Sequence, residues 1–61
     1  MDKSDFVKYM VEKGYECFLN DRGLPTVRFY GKMDKAKHLK RIVKESGYKA
    51  SWGIIYANSD D

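Results

Sequence analysis

The chain has 61 residues, 34% of them charged and 15% aromatic, with a formal net charge of +3. That length makes one domain at most, residues 1–61 with an ordered core over about 4–57, and a chain this short buries only about 60% of the surface its unfolded form exposes. With Cys17 as the only cysteine and His38 as the only histidine, an intrachain disulfide and a zinc-type ligand set are excluded; no cofactor is expected, and self-association is the support left to a small core.

Ser4 or Asp2 can cap a first helix, with Asp5 in its first turn, where a carboxylate meets the positive end of the helix dipole. Phe6, Val7, Met10 and Val11 then share one face at helical spacing, while Lys8, Glu12, Asp5 and Lys13 make a charge-balanced opposite side. Gly14 supplies the left-handed residue that ends it.

Residues 15–19 (YECFL) and 24–30 (LPTVRFY) alternate as strands, and Asn20-Asp21-Arg22-Gly23 between them suits a type I turn closed by a left-handed glycine. Pro25 cannot donate to a ladder, so it belongs at an edge or beside the bulge. Val27 and Phe29 point one way; Thr26, Arg28 and Tyr30 point the other.

Gly31 breaks the strand, and Asp34 is the expected cap of a second helix over about residues 35–46. Ala36, Leu39, Ile42, Val43 and Ser46 fill one arc, with Lys37, Lys40, Arg41 and Lys44 opposite and His38 at the boundary. Gly47 stops this helix. Residues 48–57 read as a third strand, with either Trp52, Ile54 and Tyr56 or Ser51, Gly53 and Ile55 turned outward. Residues 58–61 read as a frayed acidic tail, or as a counterion folded back on the basic helix.

Helix, glycine, tyrosine and strand follow one another twice, around Gly14-Tyr15 and Gly47-Tyr48. The elements therefore predict an α+β fold, a small αββαβ two-layer domain. Its three-stranded sheet carries both helices on one face, with the second and third strands parallel through a crossover.

Charge is distributed unevenly. Residues 22–49 hold Arg22, Arg28, Lys32, Lys35, Lys37, Lys40, Arg41, Lys44 and Lys49 against only Asp34 and Glu45, a net of +7, whereas the flanks are each −2. The first helix mixes its signs; the second does not. Clustered cations repel one another, and a polyanion offsets that repulsion. This predicts a small regulatory protein that binds nucleic acid, DNA slightly before RNA. Lys37, Lys40, Arg41 and Lys44 would contact phosphates, with Arg22, Arg28, Lys32 and Tyr30 extending the track.

The uncovered sheet face supports a second reading. Arg28, Tyr30, Phe18 and Glu16 lie there if Cys17 and Leu19 face inward, and with Trp52 they would give a protein-interaction module aromatic anchors for an acidic partner surface. The same face could stack single-stranded bases or be covered in a homodimer.

Catalysis has little support: the acids fall on caps, turns, helix exteriors and the tail, and no GxxxxGK[ST] or GxGxxG loop is present. Cys17 reads as a small core hydrophobe rather than a redox thiol. The Met-Asp-Lys-Ser-Asp start lacks an apolar h-region, which predicts a cytoplasmic protein without a membrane role.

Gly14-Tyr15, Val27-Arg28-Phe29-Tyr30-Gly31, Ala36, Leu39 and Gly47-Tyr48 together resemble the later part of a SPOR domain, a ferredoxin-like peptidoglycan-binding module. The resemblance covers residues 6–57 and implies a glycan ligand, although the first strand of such a module has no counterpart here.

Overall fold

A computed structural model describes residues 1–57; the acidic tail expected over residues 58–61 lies outside the described residues. Helix α1, Lys3–Glu12, starts where Asp2 Oδ1 accepts a hydrogen bond from the Asp5 N–H at 2.9 Å. Asp2 is thus the cap and Ser4 lies inside the helix. Phe6 and Met10 are fully buried, but Val11, expected beside them, is 53% exposed. Tyr9 packs against the core instead, because the buried arc is rotated toward that side of the helix.

Strands β1, Glu16–Leu19, and β2, Pro25–Phe29, form the antiparallel hairpin. Its turn is built on Asn20, whose Oδ1 accepts from the N–H groups of Arg22 at 2.8 Å and Leu24 at 2.9 Å. Asn20 and Leu24 close the loop through Asn20 N–H to Leu24 C=O at 3.0 Å, and Gly23 takes the expected left-handed conformation at φ 76°. Pro25 opens β2 beside this turn, fully buried opposite Leu19. The missing N–H is tolerated there because it falls at the first residue of the strand.

Between β2 and the second helix, Met33–Lys35 forms a separate 3-10 turn. This corrects the expected cap: Asp34 sits inside that turn, and helix α2, Lys37–Ser46, begins after Ala36 with no side-chain cap. Leu39, Ile42 and Val43 are buried. The helix ends at Gly47, left-handed at φ 85°, and Ser46 fastens that end by donating to the Val43 carbonyl at 2.6 Å and accepting from the Tyr48 N–H at 3.1 Å.

The third strand, β3, covers only Gly53–Tyr56 and runs parallel to β2, giving the sheet order β1-β2-β3. Tyr48, expected as its first residue, is instead a core side chain, 93% buried as judged from its 7% exposure and stacked on Phe6 with ring centroids 4.3 Å apart. Between α2 and β3 only Tyr48 is buried in the core; Gly47, Lys49, Ala50 and Ser51 are exposed.

The α+β, two-layer architecture with both helices on one face is as expected. Phe6 and Met10 from α1 and Leu39, Ile42 and Val43 from α2 close on Val27 at the centre of β2. No helix of the described residues is long and apolar enough to cross a membrane.

Candidate nucleic-acid interface

The register of β2 divides the sequence-predicted cations. Val27 is fully buried in the helix-facing core, so the pleat turns its neighbour Arg28 to the other side of the sheet. Tyr30, two residues further, follows Arg28. The α2 cations obey the opposite constraint. Leu39, Ile42 and Val43 hold one arc of the helix against Val27, and at about 100° per residue Lys37, Arg41 and Lys44 point away from the sheet, with Lys40 at their margin. All four are exposed. The structure therefore brings Lys37, Lys40, Arg41 and Lys44 together on the helix exterior, and leaves Arg28 and Tyr30 on the opposite exterior of the two-layer fold.

Arg22, in the hairpin turn, belongs with Arg28: both line a shallow depression of about 550 Å³ on the open sheet face, with Phe18, Leu19, Asp21 and Ile55. Lys32 lies on the connection from β2 toward α2, exposed, its carbonyl accepting from the Lys35 N–H at 2.9 Å. It extends neither surface in a direct line. The eight candidates thus form a helix cluster of four, a sheet-face group of three, and Lys32 between layers.

Electrostatically the two groups differ. Among the described residues one ion pair is formed, between Arg28 Nη1 and Glu16 Oε1 at 3.7 Å; the α2 cations have no such partner there. Arg28 also lies over the Phe18 ring, 5.6 Å from its centroid, and Glu16 Oε1 accepts from the Tyr30 hydroxyl at 2.9 Å. Glu16 therefore organises the sheet-face group. Sequence reading turned Glu16 outward without pairing it; the signal was available, since a turn fixed at Asn20–Gly23 sets Glu16 opposite Arg28 by counting outward along both strands. Asp21 lines the same depression as Arg22 without pairing with it. The sheet face carries two arginines and two carboxylates, whereas the α2 exterior carries four cations and the single carboxylate of Glu45, which forms no ion pair among the described residues.

The third strand's orientation corrects the placement of Trp52 on the open sheet face. Ile54 pairs with Val27 and Tyr56 with Phe29, so these residues share the helix side, and Trp52 packs toward the core with its ring 6.3 Å from Phe6. Trp52 is not an anchor on the open face; Ile55, 44% exposed, is the β3 residue that looks out. Thr26, also expected outward, retains only 6% exposure, with its hydroxyl donating to the Leu24 carbonyl at 3.0 Å. It sits in the middle strand with Phe18 opposite on β1.

His38 is exposed at the border of the α2 cations. Cys17 is half-buried against the core, where loss of water pushes its thiol pKa up, partly opposed by a hydrogen bond from the Phe18 backbone. That environment suits a packing role and disfavours the thiolate.

Comparison with protein-family models, with curated proteins and with solved structures returns no match. The SPOR resemblance therefore rests on the helix-glycine-strand pattern alone, and no family is assigned.

Proposed function

We propose that this chain is a small non-enzymatic protein that binds the phosphate backbone of nucleic acid, duplex DNA before RNA, through the exterior of α2. The observation that carries the reading is the set of four exposed cations, Lys37, Lys40, Arg41 and Lys44, gathered on one side of a ten-residue helix with no ion-pair partner among the described residues.

From Lys37 to Lys44 the helix rises about 10 Å at 1.5 Å per residue, and long side chains add reach at each end. That span matches two to three successive phosphates of one strand. Arginine can grip a phosphate through two N–H groups while lysine acts as a mobile point charge, so Arg41 is the contact with the most defined geometry. Contacts of this kind set affinity and position but carry no base information. A regulatory role would then depend on occupancy of nucleic acid rather than on reading a site.

The sheet face adds little to this track. Arg28 is paired with Glu16, and Asp21 stands beside Arg22, so a phosphate approaching there meets as many acids as cations. An acidic protein surface would present the same sign of charge to α2, but the aromatic anchor such a contact uses is reduced, with Trp52 turned to the core.

The test is a fluorescence anisotropy titration of a labelled duplex. Changing Lys37, Lys40, Arg41 and Lys44 together to glutamine is expected to abolish binding with the circular dichroism spectrum unchanged. Equal affinity of variant and wild type would overturn the assignment.

A further inference from the structure

Two exteriors of the fold are rich in side chains without a covering layer, and only one of them can meet a copy of itself. The α2 exterior carries like charges, so two such surfaces repel. The open sheet face is different. It exposes Tyr30 at 53% and Ile55 at 44%, alongside the partly buried Phe18, and its charges are balanced: Arg22 and Arg28 against Asp21 and Glu16.

We propose that the open sheet face is an interface between two copies of this chain, packed sheet to sheet about a two-fold axis. In such an interface each contact occurs twice with the roles exchanged, and a face that carries both cations and acids can set each against its opposite on the second copy. One cation and one acid of the face are already fixed in place. Arg28 is held over Phe18 and against Glu16, and Glu16 also receives the Tyr30 hydroxyl. Arg28, Glu16 and Tyr30 are therefore ordered before association, which lowers the entropy lost on binding. Ile55, Phe18 and the Tyr30 ring supply the apolar surface that two sheets bury when they stack about 10 Å apart.

A nucleic-acid strand or an acidic protein fits this face less well than a second copy does, because Asp21 and Glu16 would meet either with like charge. Two copies joined here leave both α2 exteriors uncovered and facing away from one another. On the reading of α2 given above, on which this last consequence alone rests, each dimer offers two separate phosphate-binding surfaces.

The test is molar mass by sedimentation without nucleic acid, so that its result is independent of what α2 binds. Wild-type chain is expected to rise from the 7.1 kDa monomer mass toward twice that value as concentration approaches and passes about 1 mM, as for a weak self-association. Ile55→Glu is expected to stay monomeric. A chain with Arg22→Glu and Arg28→Glu, and another with Glu16→Lys and Asp21→Lys, are each expected to be monomeric alone and to pair when mixed. Recovery on mixing separates a lost interface from a lost fold. Monomeric wild type throughout, or a dimer indifferent to Ile55→Glu and to the charge reversals, would overturn the proposal.

Discussion

Phe6 in α1 stacks on Tyr48, just beyond α2, with ring centroids 4.3 Å apart and planes 16° from parallel. Both rings are buried, and the pair joins the first helix to the segment that leads into β3. Aromatic contacts of this kind add about 0.5–1.5 kcal/mol beyond the area they bury. Phe6→Ala removes the ring and leaves a cavity, a change that costs about 3–5 kcal/mol, comparable with the whole stability that a core of this size supplies. The variant is expected to be unfolded by circular dichroism at 25 °C. Tyr48→Phe keeps the stack and loses only the hydroxyl's bond to the Ser51 carbonyl, 3.3 Å long, so it should remain folded in urea melts with a loss of about 0.5–1.5 kcal/mol.

Gly47 isolates a backbone effect. Its φ of 85° is left-handed, and a Cβ built there meets nothing within 4 Å. Gly47→Ala therefore has no steric clash to relieve, and the expected loss of about 1–2 kcal/mol is that of placing an L-residue in this conformation. Gly47→Asn should lose less, because asparagine tolerates the region better. Urea midpoints of the two variants check the order; equal midpoints with wild type would mean that the helix end adopts another conformation in solution.

Unpaired charge on α2 has a consequence for the free protein as well. Salt screens like charges on an exposed surface, with a Debye length of about 10 Å at 0.1 M. Raising salt is expected to increase the melting temperature of wild type more than that of the glutamine variant at Lys37, Lys40, Arg41 and Lys44. Identical salt responses would show that the four cations do not strain the folded state.

The Cys17 thiol provides a pH-dependent prediction. Burial raises its pKa above the ordinary value of 9.0, so the folded chain holds this proton more tightly than the unfolded chain. Its contribution to stability is complete below the unfolded pKa and is lost as pH rises through the folded one. Cys17→Ala should remove that alkaline loss, seen as a smaller fall in urea midpoint relative to wild type between about pH 8 and pH 10. Reaction with a thiol reagent should also be slower in the native chain than in denaturant.

Much of this fold was legible in the sequence because several local signals agreed. Asn20 and Gly23 specify the turn, Leu39, Ile42 and Val43 specify the buried side of α2, and Val27 specifies the phase of β2. The third strand was ambiguous for a physical reason: Trp52, Ile54 and Tyr56 alternate with a phase that also contains the apolar Ile55, so hydropathy alone could not choose a face. The parallel register with β2, which pairs Ile54 with Val27, makes the choice. Asp34 looked like a cap because of its residue type, but the 3-10 turn at Met33–Lys35 moves the helix start beyond it.

The candidate site was legible only in part. One basic stretch of sequence passes through both layers, and the pleat of β2 sends Arg28 outward on one side while α2 sends Lys37, Arg41 and Lys44 outward on the other. Continuity along the chain therefore did not become continuity on a surface.

The most direct measurement is the salt dependence of duplex binding, followed for wild type, for the α2 glutamine variant, and for a variant with Arg22→Gln and Arg28→Gln. Two to three phosphate contacts predict a slope of about −1.8 to −2.7 in log affinity against log salt, at about −0.9 per contact. The sheet-face variant is expected to keep that slope, and the α2 variant to lose it. A wild-type slope near zero, or a slope that disappears with Arg22 and Arg28 while surviving the loss of the α2 cations, would contradict the account.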